Sequence, residues 1–154
     1  MTAVIQRIFE ARVFADGALS GEVGKGLYIL LGVKRGDCDE DARLLAEKIS
    51  KLRIFSDSMG KMNLSVTDID GEALVVSNFT LNANYSHGNR PDYFASAAPE
   101  VANALYEHFL EELRRLIRKC ESGVFGSDMK TEMITDGPVT IVMDSEVLRN
   151  KGKQ

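Results

Sequence analysis

The chain has no tryptophan, two histidines and two cysteines among its 154 residues, so most familiar catalytic and metal-binding constellations are out of reach. Cys38 and Cys120 form no CxxC pair, and neither His87 nor His108 has a partner at metal-ligand spacing. This argues against a zinc site or a redox pair, predicts no metal and no cofactor, and the free thiols suit a reducing cytoplasm. There is no GxSxG elbow to make Ser77 a hydrolase nucleophile, and no GxGxxG; Gly24-Lys25-Gly26 reads as a tight turn. No uncharged apolar run approaches the roughly 18 residues that cross a bilayer, and Met1–Arg7 is too short and too polar for a secretory leader, so no membrane partner is expected. Positive charge is not in excess either: 19 basic against 23 acidic residues leave a net charge of −4. That argues against a DNA binder, though not against a protein that grips only one end of an RNA.

What is present is a single domain over residues 1–145 with a short polar tail over 146–154. Ala3, Ile5, Phe9, Ala11 and Val13 share the parity of one strand face. Arg7 falls on that same face, where it either finds buried hydrogen-bond partners or snorkels at the sheet edge. Asp16-Gly17 is a hairpin turn, and Leu27–Val33 is a continuous apolar run of the central-strand kind. Asp37 and Glu40 have the spacing of a capping box before a helix whose stripe is Ala42, Leu45, Ala46, Ile49 and Leu52. A further strand is predicted over 73–81, then a polar loop over 82–91. Pro99 opens a second helix with a stripe of Val101, Ala102, Leu105, Phe109, Leu113, Leu116 and Ile117, stopping near Gly123. The basic run Arg114–Lys119 has an adequate explanation as the cationic end of that helix. Two short strands, over 131–134 and 139–143, complete an α/β (α+β) sheet with helices on one face. Periodicity alone gives this domain no evident catalytic residue.

Two short segments change that reading. Ser77-Asn78-Phe79-Thr80-Leu81 ends a strand, and Thr135-Asp136-Gly137-Pro138-Val139-Thr140 lies near the C-terminus. Together they resemble the SQFTL and NxGPVT signatures of the D-aminoacyl-tRNA deacylases. Gln6-Arg7, Leu52–Phe55, Gly60–Leu64, Gly88–Pro91 and Phe125–Met129 support the resemblance in order and spacing over nearly the whole chain. The departures are Asn78 for the usual Gln, Thr135 for Asn, Ser127 for Ala, and Asp92-Tyr93 where Ser-Phe is common.

The resemblance implies a β-barrel-like sheet with two long helices packed on it, working as a homodimer. It also implies hydrolysis of the ester joining a D-amino acid, or mischarged glycine, to the terminal adenosine of tRNA. An aminoacyl ester is already activated, so orientation and oxyanion stabilisation suffice. On this view Ser77, Asn78, Phe79 and Thr80 form the catalytic segment, acting through main-chain N–H groups with help from the ribose 2′-hydroxyl. Gly137-Pro138, in cis, would enter the partner subunit's pocket and reject L-amino acids with its carbonyls, and Arg7 would support that loop. The structural alternative for Gly137-Pro138 is an ordinary turn into the last strand. Lys61, Arg90 and Lys130 are candidate contacts to tRNA phosphates, and Phe125 and Met129 to the terminal adenine, with core filling the competing role for Phe125. Two further readings stay open: a non-catalytic or altered-specificity binder of the tRNA end, and a deacylase acting on a mischarged L-amino acid.

Overall fold

The computed structural model describes residues 1–150. Residues 151–154, the end of the expected polar tail, lie outside the described residues. The chain runs β1 (Thr2–Ala15), β2 (Ala18–Val23), β3 (Gly26–Gly32), α1 (Asp39–Ser50), β4 (Phe55–Ser56), β5 (Met62–Leu64) and β6 (Glu72–Ser77). It continues through a 3₁₀ turn (Phe79–Asn82), α2 (Pro99–Leu116), β7 (Lys119–Ser122), β8 (Met129–Asp144) and α3 (Ser145–Arg149).

The strands form a mixed sheet in the order β2-β1-β3-β6-β7, with β8 also paired to β1 and the β3–β6 and β6–β7 pairs parallel. Its ends curl towards each other. The Ser20 hydroxyl of β2 donates to the Ser122 carbonyl of β7 at 2.9 Å, which brings the sheet close to a closed barrel. Alternation then gives each strand two destinations. Ile8, Val13, Tyr28, Leu74 and Val76 fill the barrel, whereas Ile5, Ile29, Leu31, Ala73 and Val75 face out beneath α1 and α2. Full burial of each such apolar side chain contributes roughly 1.5–3 kcal/mol, more than propensity differences in these short elements can.

The hairpin at Asp16-Gly17 forms as expected, both residues having positive φ (49° and 84°). Phe9, expected inside, is instead 52% exposed, and Ile8 takes the buried place. The cause is a pair of register shifts between β1 and β8: Gln6 faces Thr140, yet Ile8 already faces Thr135. Residues 136–139 therefore bulge from β8 opposite Arg7. The same bulge joins the two short strands expected at 131–134 and 139–143 into the single β8.

Other boundaries also differ from those expected. The cap of α1 is one residue later than expected: Cys38 is the N-cap and its N–H donates to the Asp41 carboxylate at 2.9 Å, while Asp37 turns back to the Met1 ammonium at 2.7 Å. Strand β6 stops at Ser77, and Phe79 leaves the core with 59% exposure. Pro99 opens α2 as expected, but its buried stripe includes Tyr106 and Leu110 and excludes Val101. Gly123 does not stop α2, which ends at an extended Ile117 drawn into the core, and β7 intervenes. Residues 145–149 form α3, tied to α1 by Arg149 and Asp41 at 3.1 Å.

Two exposed turns carry an acid-sensitive part of the stability. The Ser65 N–H and hydroxyl both donate to Asp68 at 2.7 Å, and these bonds hold its carboxyl below the usual value of 3.8. The Lys61 and Met59 N–H groups lower Asp57 in the same way. A depressed folded-state pKa stabilises above the unfolded value and loses that contribution as pH falls through the folded one. Lowering the pH from about 5 to about 3 should therefore lower the thermal midpoint, and by less in Asp68→Asn than in the wild type. Equal shifts in the two would show that this carboxylate adds nothing.

Candidate functional site

The site is built where parallel β3 and β6 end side by side, the place at which open α/β sheets leave a crevice. The chain turns sharply after Ser77. The Asn78 N–H donates to the Leu31 carbonyl at 2.8 Å, so β6 is still tethered to β3 as the 3₁₀ turn begins. The Asn78 side chain then accepts the Thr80 N–H at 3.2 Å. The Phe79 ring stands edge-on to Tyr93 at a centroid separation of 5.0 Å. Behind the turn, the Ser96 hydroxyl donates to the Phe79 carbonyl at 3.3 Å, and the buried Asn82 amide donates to the Val33 carbonyl at 2.9 Å.

This turn borders a cavity of about 920 Å³, large enough for a substantial small-molecule ligand. Leu31, Val33, Ala102 and Tyr106 form its apolar floor, and the segment from Phe125 to Met129 forms a second wall. Phe125 lies 5.9 Å from the Tyr106 ring, so it both packs on the core and faces the cavity. A smaller hollow of about 370 Å³, lined by Phe14, Gly17 and Lys130, shares Asp128 and Met129 with it.

Arg35 and Asp128 are the only charged side chains lining the main cavity among the described residues, and no histidine or cysteine does so. Burial raises the Tyr106 phenol above its usual value, and its hydroxyl donates to the Val75 carbonyl at 3.1 Å. Burial likewise pushes the Cys120 thiol up to about 12, so neither group supplies an anion near neutrality. Among the described residues no cluster of three His, Cys, Asp or Glu side chains can hold a metal, and no helix is long and apolar enough to cross a membrane. The uncharged polar side chains that line the cavity are those of Ser77, Asn78, Tyr93, Ser96, Tyr106 and Ser127.

Of the expected site residues, Ser77, Asn78, Phe79, Phe125 and Met129 come together around the cavity. Thr80 adjoins it through the turn. Gly137 and Pro138 do not line it: they are exposed on the β8 bulge, joined by a cis peptide bond. Arg7 holds that bulge. Its side chain is 12% exposed, and it donates to the Ile54 carbonyl at 2.7 Å and to the Asp136 carbonyl and carboxylate at 3.2 Å each. Its partners are thus buried carbonyls and an acid on the bulge, in place of edge-of-sheet solvent. Arg90 and Lys61 are exposed and do not line the cavity, Lys61 lying in the turn between β4 and β5. Arg35, Ser96 and Asn82 belong to the site but were not singled out by sequence, and Tyr93 was noted only as a departure from the family pattern. The one available signal was a cluster of polar residues in a loop directly after a motif.

Comparison with known proteins gives the chain a family. The family model for D-Tyr-tRNA(Tyr) deacylase matches residues 4–144. A D-aminoacyl-tRNA deacylase of Anaeromyxobacter dehalogenans is 53% identical over 148 residues, covering 96% of this chain and 99% of its own. One from Akkermansia muciniphila is 52% identical over 146 residues, covering 94% and 97%. Among solved structures, a c-Myc DNA Unwinding Element Binding Protein superposes with a TM-score of 0.88 at 37% identity, covering 94% of this chain and 98% of its own. A probable eukaryotic D-amino acid tRNA deacylase reaches 0.80 at 16% identity, covering 93% and 99%, which speaks for the fold alone. The chain belongs to the D-Tyr-tRNA(Tyr) deacylase family.

Proposed function

We propose that the protein hydrolyses the ester between a D-amino acid, or mischarged glycine, and the terminal adenosine of tRNA. The observation that carries this is a main-chain turn at the mouth of an apolar cavity that contains no histidine or cysteine. Family membership supplies the substrate class. Water attacks the ester carbonyl carbon, assisted by the ribose 2′-hydroxyl, and the carbonyl oxygen becomes an anion. The Phe79 N–H, which has no acceptor among the described residues, is the donor assigned to it on this reading. One such donor is worth roughly 2.7–4 kcal/mol in comparable sites. The intermediate then collapses, the C–O bond to the ribose breaks, and the departing oxygen takes a proton.

Chirality selection needs a second element, and the exposed Gly137-Pro138 bulge supports a reading in which a homodimer provides it. Each subunit lends its bulge to the other's cavity, where the two carbonyls accept the α-ammonium of a D-aminoacyl group and obstruct an L side chain. The terminal adenine packs against Phe125 and Met129, with Lys61, Arg90 and Lys130 as candidate phosphate contacts. The reaction belongs in the cytoplasm, where tRNA is charged. A net charge of −4 favours a few contacts at an RNA end over the binding of a DNA duplex. Purified protein should release D-tyrosine from D-tyrosyl-tRNA, leave L-tyrosyl-tRNA intact, and scatter light with twice the 17.0 kDa mass of one chain. Binding without turnover would favour a non-catalytic tRNA-end binder; cleavage of the L ester would favour a deacylase of mischarged L-amino acids.

A further inference from the structure

The side chain of Asn78 takes no part in the chemistry above, yet it organises the turn that performs it. Asn78 is the N-cap of the 3₁₀ turn, with φ −148° and ψ 93°, and its Oδ1 accepts both the Thr80 N–H at 3.2 Å and the Thr80 hydroxyl at 2.5 Å. The first N–H groups of any helical turn lack acceptors within it. Here the one at Thr80 is taken from inside the turn, whereas the one at Phe79 has no acceptor among the described residues. The remaining polar groups are tied down. The Asn78 N–H goes to Leu31, the Asn78 carbonyl accepts the Leu81 N–H at 3.4 Å, and the Phe79 carbonyl accepts from Ser96.

We propose that Asn78 is a positioning residue for the hydrolysis: by capping Thr80 it leaves the Phe79 N–H as the turn's uncommitted main-chain donor for the oxyanion and fixes its aim. The inference rests on the deacylase reading and extends it. Residues with a short polar side chain cap best, because their acceptor reaches an N–H two positions on without bending the backbone. Glutamine, one methylene longer, does not close that ring. The shorter side chain at this position is therefore a different way of holding the turn, not a lost substrate contact.

The test compares Asn78→Ala, Asn78→Gln and Asn78→Ser in steady-state hydrolysis of D-tyrosyl-tRNA, with amide exchange followed at Phe79 and Thr80. Asn78→Ala and Asn78→Gln should lower kcat by about tenfold or more with KM changed less than about twofold, since aim and not binding is lost. Asn78→Ser, which still caps, should stay within about threefold of the wild type. Thr80 exchange should quicken about tenfold or more in the alanine variant and remain slow in the serine variant. An unchanged kcat in Asn78→Ala, or a wild-type rate in Asn78→Gln beside an inactive Asn78→Ser, overturns the proposal. So does Thr80 exchange that ignores the substitution. If the alanine variant does not fold, the glutamine and serine variants decide between them. A wild type inert on D-tyrosyl-tRNA would sink the deacylase reading instead, and the exchange data would still judge the cap.

Discussion

Arg7→Ala is expected to lose about 3 kcal/mol of stability and most of the discrimination between D and L esters. Breaking a buried ion pair by removing one partner typically costs about 3–5 kcal/mol, and the lower end applies because Asp136 retains 24% exposure. The guanidinium makes its shortest bond, 2.7 Å, to the Ile54 carbonyl, so its removal also strands an acceptor in the loop that follows α1. For a chain of this length the loss corresponds to a midpoint drop of roughly 6–12 °C. The site consequence follows from where the other bonds go. Asp136 immediately precedes Gly137, and among the described residues Arg7 is the one side chain that bonds to it. The D-to-L rate ratio on tyrosyl-tRNA should fall by about tenfold or more, and Arg7→Lys should rescue it only in part, a point charge being a poor substitute for a fork of donors. A lower midpoint with an unchanged ratio would make Arg7 a structural residue only.

Gly26→Ala should be the most damaging single methyl in the chain. A Cβ at this position would sit 1.8 Å from the Glu72 carbonyl oxygen and 2.7 Å from the Glu72 N and carbonyl carbon. These are backbone atoms of the paired strand, since Gly26 faces Glu72 where parallel β3 and β6 begin. The clash is relieved only by parting the two strands, whose far ends carry Leu31 and Ser77 into the cavity wall. A loss above about 4 kcal/mol is expected, enough to leave much of the protein unfolded at moderate temperature. Gly24→Ala is the matched control: its nearest contact would be the Glu72 carboxylate at 3.8 Å, so a change within about 0.5 kcal/mol is expected in denaturant titration. Equal stability of the two variants would contradict the close packing of β3 on β6.

How far the fold could be read from the sequence depended on how local each determinant was. The Asp16-Gly17 turn and the opening of α2 at Pro99 are decided by backbone preferences of the residues themselves, and both were legible. The face of β1 was not. Its parity rule fails at Phe9 because β1 takes one residue more than β8 between the Ile8–Thr135 and Glu10–Ile134 pairs, an irregularity set by pairing with a strand more than a hundred residues later. The capping box slipped by one residue because Asp37 is drawn away by the Met1 ammonium, a tertiary contact. Gly123 looked like a helix stop, yet its N–H belongs to the Val75 carbonyl at 3.0 Å at the edge of the sheet. The site divides in the same way. Its motif residues could be named, but Tyr93, Ser96 and Arg35 reach the cavity only because a loop folds back over the end of β3, where the Arg35 N–H meets the Ala95 carbonyl at 2.9 Å.

Selection made by main-chain atoms would be indifferent to the amino acid carried. It is tested most directly by one set of rates: hydrolysis of matched D and L esters of tRNA bearing an aromatic, an acidic and a small aliphatic residue. Every D ester should be cleaved and every L ester spared, with similar ratios across the three pairs. An L ester cleaved as fast as its D counterpart, or a ratio that collapses for one class of side chain, would contradict it.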